Sequence, residues 1–153
     1  ASISPSNLER LRYSLPANQK RGRDVVSLLV DNMQWVLLVC GLLTLSMIQA
    51  VFAPRATMRA YFGEAPDSKA ADLLMRNWGM LVAAGGALLV YAAFTPDVRP
   101  VALVFTGLTK LSFISLVLMA GGSFLKKQAG LAIVIDGIMV ALFAAYLIAT
   151  QGG

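Results

Sequence analysis

The stretches VALVFTGLTKLSFISLVLMA (101–120) and LAIVIDGIMVALFAAYLIA (131–149) decide the fold. Each matches the roughly 20 residues that an α-helix needs to cross hydrocarbon. Each is apolar on every face except for one formal charge, Lys110 in the first and Asp136 in the second. A helix on the surface of a water-soluble core carries one apolar stripe and one polar face, and neither stretch does. They read as a hairpin of two membrane-spanning helices. A charge at membrane depth costs roughly 2.5–3.5 kcal/mol on insertion scales, so each needs a partner or a purpose.

Two similar blocks lie upstream, which puts spans at about 33–53, 74–94, 98–120 and 129–150. The 153 residues are 58% hydrophobic and 14% charged, with a mean hydropathy of +0.70. Soluble domains are about a quarter charged. The expected fold is an all-α integral membrane protein, four transmembrane helices in an up-down-up-down bundle behind a short N-terminal amphipathic helix. Residues 1–24 form a polar, basic arm and 25–153 the transmembrane domain.

In the arm, Ser6-Asn7-Leu8-Glu9 has the form of a capping box, and Leu8, Leu11 and Leu15 follow at helical spacing until Pro16. Arg10, Arg12, Lys20, Arg21 and Arg23 cluster just ahead of the first apolar run and predict docking on anionic headgroups or a partner subunit, with no nucleic acid involved. That run begins near Val25, and its length argues against a cleavable signal. The polar patch Asp31-Asn32-Met33-Gln34 interrupts it before Trp35, a residue suited to the interface. Either residues 25–33 form a turn or two ahead of a span starting near Met33, or one long tilted helix emerges from the headgroups near Gln34. Pro54 to Phe62 reads as an amphipathic interfacial link closed by Gly63. In the second span Gly79, Ala83 and Ala87 recur four apart, with Gly85 and Gly86 among them, a small-residue row for close helix packing.

Composition excludes several activities. Histidine is absent, which removes bis-His haem ligation and His-based acid–base catalysis. Cys40 is the only cysteine, so there is no C-x-x-C pair and no membrane thiol oxidoreductase. Gly85-Gly86 follows no strand and precedes no basic residue, unlike a phosphate loop. No Glu lies in any span, unlike the helix 1 glutamate of small multidrug exporters. We expect no catalytic residues, no metal and no required cofactor.

Lys110 and Asp136 are the informative intramembrane pair. Counted from the connection near residue 124, Asp136 lies roughly 10 Å below that membrane face and Lys110 roughly 16 Å. One turn of offset is within reach of a lysine. Helical side chains lean toward their own N-termini, however, and these two lean apart. Arg76 and Asn77, where the second span meets the same face, compete for Asp136, and Ser112 is a nearby hydroxyl. The readings are a Lys110–Asp136 pair, direct or through water, and an Asp136–Arg76 contact.

Taken together, a span ending FAP, a link ending YFG, MRNWGMLVAAGGALLVYAAFTPDVRP, TKLSFISLVL and AIVIDGIMVALFAAYL resemble the DoxX-like group of small four-helix bacterial membrane proteins. The similarity covers about residues 37–149. It implies a place beside quinone-linked oxidoreductases or membrane redox complexes and carries over no catalytic residue.

Three functions follow. The leading one is a non-catalytic accessory subunit of a larger membrane assembly, of a redox or energy-transducing kind, with other membrane subunits and lipids as partners. The second is a site for a bound quinone or lipid lined by Lys110, Asp136 and the hydroxyls of the third span, Thr106, Thr109, Ser112 and Ser115. The third is a small proton-coupled transporter. The expected location is multi-pass in a bacterial inner membrane or an organellar membrane. Basic residues tie across the two sides, and the N-terminal cluster tips both termini to the cytoplasmic side.

Overall fold

A computed structural model describes residues 17–151. All its regular structure is helical: α1 (Ala17–Asp31), α2 (Met33–Leu45), α3 (Gln49–Phe52), α4 (Pro54–Phe62), α5 (Lys69–Phe94), α6 (Arg99–Ala120), α7 (Gly122–Leu125) and α8 (Gln128–Gln151). A 3-10 turn, Ser46–Ile48, joins α2 to α3, and another, Pro96–Val98, leads into α6. Four segments are long and apolar enough to cross a membrane: Met33–Phe52, Lys69–Phe94, Pro96–Ala120 and Gln128–Thr150.

Local chemistry sets the boundaries. The Asn32 side chain donates to the Leu28 carbonyl at 2.9 Å, and the Asn32 carbonyl takes the amides of Trp35 and Val36, so α1 stops and α2 begins. Short amides compete with helical backbone pairing in this way. Ser68 caps α5 by accepting from the Ala71 amide at 3.0 Å. Gly63 closes α4 at φ 83°, a left-handed conformation that costs glycine little. Arg99 closes the other end of α5: Nε and Nη2 donate to the carbonyls of Ala92 and Ala93, both at 3.1 Å. A cation at a helix C-terminus also complements the helix dipole.

Packing proceeds from neighbour to neighbour. The most extensive interface is α2 on α5; α5 then packs on α6, α6 on α8, and α1 on α8. One buried cluster draws on all four long segments, including Met33, Leu37, Leu89, Leu103, Phe143 and Tyr146. A second, Met47, Ala50, Met58 and Met75, lies where α4 meets the first two spans.

The structure adds detail at three boundaries and faces. Helix α1 runs through the division placed after residue 24, because residues 17–24 are mostly competent helix formers and Ser27 Oγ donates to the Asp24 carbonyl at 3.0 Å. In the small-residue row, Gly79 and Ala83 are buried but Ala87 is exposed, and Gly86 takes its place. At 3.6 residues per turn, seven positions return nearly to the same face while eight overshoot it. Gly85 also leaves the row. A methyl group there would meet only Thr106 Cγ2, at 3.8 Å, whereas one on Gly86 would strike the Gly41 carbonyl at 2.8 Å and the Leu45 backbone. The capping-box segment with Arg10 and Arg12 lies outside the described residues. Lys20, Arg21 and Arg23 fall on α1, and their side chains are likewise outside that description.

Candidate functional site: a polar-floored cavity between the helices

The buried positions of the first span include Met33, Leu37, Cys40, Thr44 and Met47, a repeat of alternating fours and threes that holds one face inward, with Gly41 and Ala50 beside it. On α6 the inward stripe runs Ala102, Thr106, Lys110 and Val117, and on α8 it includes Asp136, Met139, Phe143 and Tyr146. The charges and the buried threonines are thus carried inward by the same spacing as the core residues.

Lys110 and Asp136 meet directly, Nζ against Oδ1, with side chains 8% and 16% exposed. The flexible lysine stem closes the one-turn offset that the helix directions impose. Arg76 goes elsewhere: its Nη1 donates to the Val51 carbonyl near the end of the first span. That carbonyl is one of the helix-end acceptors without an intrahelical donor, and a guanidinium reaches it more easily than it reaches α8. The structure therefore does not bring Arg76 to Asp136. Asn77 is exposed, away from the pair.

Above the pair lies a cavity of about 650 Å³. The first span, α4, α5, α6 and α8 all contribute walls, and Lys110 and Asp136 are the only charged residues in them among the described residues. The rest is mostly apolar and aromatic, with Phe105, Phe113, Trp78 and Tyr61 the largest side chains, and Thr44, Ser46, Thr106, Thr109, Ser112 and Gln128 add uncharged polar groups. Ser112 and Gly85 line it too. Gly85 thus widens the cavity, while Gly86, one residue on, closes the α2–α5 crossing.

Helix α4 covers one end. Tyr61 donates to Met47 Sδ at 3.1 Å and meets Trp78 edge-on, with ring centres 6.1 Å apart. Trp78 continues to Phe113 at 5.9 Å, and Phe62 packs edge-on against Phe124 at 5.9 Å. Burial pushes the Tyr61 phenol above its ordinary pKa, and the nearby Asp136 carboxylate adds to the rise. Outside the cavity, Arg55 ties α4 to the start of α5 through Asp72 (3.1 Å) and Asp67 (2.8 Å).

The hydroxyls divide into two kinds. Thr106 Oγ1 donates to the Ala102 carbonyl at 2.6 Å, Thr109 Oγ1 to the Thr106 carbonyl at 2.8 Å, and Ser46 Oγ to the Leu43 carbonyl at 2.6 Å. Thr44 Oγ1 is buried, lines the cavity and has no hydrogen-bond partner among the described residues. A helical threonine normally donates back to a carbonyl three or four residues earlier.

Helical spacing puts Thr44 on one face with Met33, Leu37, Cys40 and Met47, but the sequence alone does not mark Thr44, Tyr61, Trp78 or Gly41 as site residues. The fours-and-threes repeat from Met33 to Met47 was the available signal for Thr44. For Tyr61 and Trp78 no local signal existed, because their roles depend on where α4 settles. Among the described residues no three His, Cys, Asp or Glu side chains are grouped to hold a metal. The chain matches no protein-family model, no curated protein and no solved structure.

Proposed function

We propose that this chain is a multi-pass integral membrane protein that binds a small amphipathic molecule, a quinone or a lipid, between its helices. The observation that carries the reading is the cavity itself: apolar and aromatic walls, a buried Lys110–Asp136 pair, and an unpartnered Thr44 hydroxyl. Ligand sites in helical bundles combine a mostly apolar surface with a few converging polar groups in this way. Insertion in a membrane is supported by the outward faces of the long helices, where Leu42, Leu81, Val104, Leu108, Val134 and Ile138 are all exposed. So much contiguous apolar surface is a liability in water and ordinary in lipid. Alternating helix directions are supported by one cluster that gathers Met33, Ala93, Ala102 and Tyr146, residues near the start, end, start and end of successive spans. The basic cluster at the N-terminus favours both ends on the cytoplasmic side of a bacterial inner membrane or its organellar counterpart. Kinship with the DoxX-like group is proposed on the motifs quoted above.

Native mass spectrometry of the protein purified in mild detergent tests the reading. The expected result is a co-purifying small molecule that is lost from Gly85→Leu, a variant that fills the cavity from α5. Equal occupancy in the parent and the variant, or none in either, would remove it.

A second reading is a non-catalytic accessory subunit of a redox or energy-transducing membrane assembly. Ala84 and Ala87 face outward from α5 and leave a shallow strip where another helix could approach closely. A monodisperse single chain with no partner and no self-association in mild detergent would end it.

A further inference from the structure

We propose that the cavity selects an uncharged amphiphile with a hydrogen-bond-accepting carbonyl head, and that Thr44 is the donor that recognises it. The inference rests on the cavity reading above and narrows it. Lys110 and Asp136 already neutralise each other, and among the described residues no other charged side chain lines the cavity. An anionic or cationic head would therefore bring one unbalanced charge into a mostly apolar space, or would pull the pair apart and leave a buried charge alone. Either costs several kcal/mol. An uncharged head avoids both penalties.

The hydrogen-bonding inventory points the same way. Ser46, Thr106 and Thr109 have spent their protons on backbone carbonyls, and Tyr61 has spent its proton on Met47 Sδ. Ser112 and Gln128 also line the cavity, but both are exposed. Thr44 is 6% exposed and its hydroxyl is uncommitted. The Lys110 ammonium has three N–H donors, and its one recorded acceptor is Asp136 Oδ1. Thr44 and Lys110 thus give the cavity lining donors without a full set of acceptors, which suits a carbonyl oxygen. Phe105, Phe113 and Trp78 supply the surface for a flat ring or an acyl chain. An alkyl-substituted quinone and a glyceride ester share this chemistry.

The test is competition native mass spectrometry on the full chain, presenting decylbenzoquinone, 1,2-dioctanoylglycerol and decanoate together. The expected result is that one of the uncharged probes is held at least about tenfold more tightly than decanoate, as the cost of an unbalanced buried charge requires. Thr44→Val should weaken that probe by about five- to tenfold, the range of one hydrogen bond, and Thr44→Ser should restore it. Which uncharged probe wins identifies the quinone or the glyceride as the natural source. Preferential binding of decanoate, abolished in Gly85→Leu, would overturn the charge inference and leave the cavity reading standing. Binding of every probe that ignores Gly85→Leu would overturn both. Thr44→Val and Thr44→Ser both matching the parent would remove Thr44 from the site.

Discussion

Lys110 and Asp136 show how a residue's surroundings set its energetics. A buried pair is poor evidence of net stability, because desolvation offsets much of the attraction, but breaking it leaves a lone charge. Lys110→Met should therefore destabilise the protein by about 3–5 kcal/mol, and adding Asp136→Leu should recover most of that loss. Thermal unfolding in detergent checks both, and a double variant no better than the single would refute the account. Thr44 and Thr106 make a second contrast. Thr106→Val removes a made hydrogen bond and should cost about 1 kcal/mol. Thr44→Val removes a hydroxyl with no protein partner, so the melting temperature should hold or rise while ligand affinity falls. A lowered melting temperature for Thr44→Val would show that the hydroxyl is satisfied after all.

At the scale of elements, two adjacent glycines in α5 do opposite things. Gly85→Ala meets only Thr106 Cγ2 at 3.8 Å and gains helix propensity, so it should stabilise by about 0.5–1 kcal/mol. Gly86→Ala drives a methyl into the α2 backbone and should destabilise by about 1–3 kcal/mol or more. Paired melts of the two variants decide the matter, and equal effects would refute the assigned helix faces. Helix α4 carries a pH signature. Folding raises the Tyr61 pKa, so the native state keeps its proton where the unfolded state releases it. Stability is unaffected below the ordinary tyrosine value of 10.0 and falls as pH rises through it. Melting temperature should therefore drop more steeply above pH ~10 in the parent than in Tyr61→Phe, and parallel alkaline profiles would count against this.

For the whole molecule, length and hydropathy make four apolar helical segments legible in the sequence, but not which face of each turns inward, because nearly every face is apolar. Met33, Leu37, Cys40, Thr44 and Met47 share a face by helical geometry alone, as do Ala102, Thr106 and Lys110. Those are local properties, set by residue type and the fixed turn of the helix. Partnership is not local. Whether Asp136 meets Lys110 or Arg76 depends on how far helices rotate and slide against each other, and Val51 rather than Asp136 receives the Arg76 guanidinium. The split between Gly85 and Gly86 depends on where α2 crosses α5.

The opening hairpin shows the same division. Its sequence dictated two long apolar helices, each with one charge. That those charges neutralise one another, and that they line one cavity with Thr44, whose hydroxyl has no partner among the described residues, came from the packing of helices distant in the chain. Backbone hydrogen bonding and side-chain hydropathy act within a segment, while the depth, rotation and crossing of each helix are settled by its neighbours.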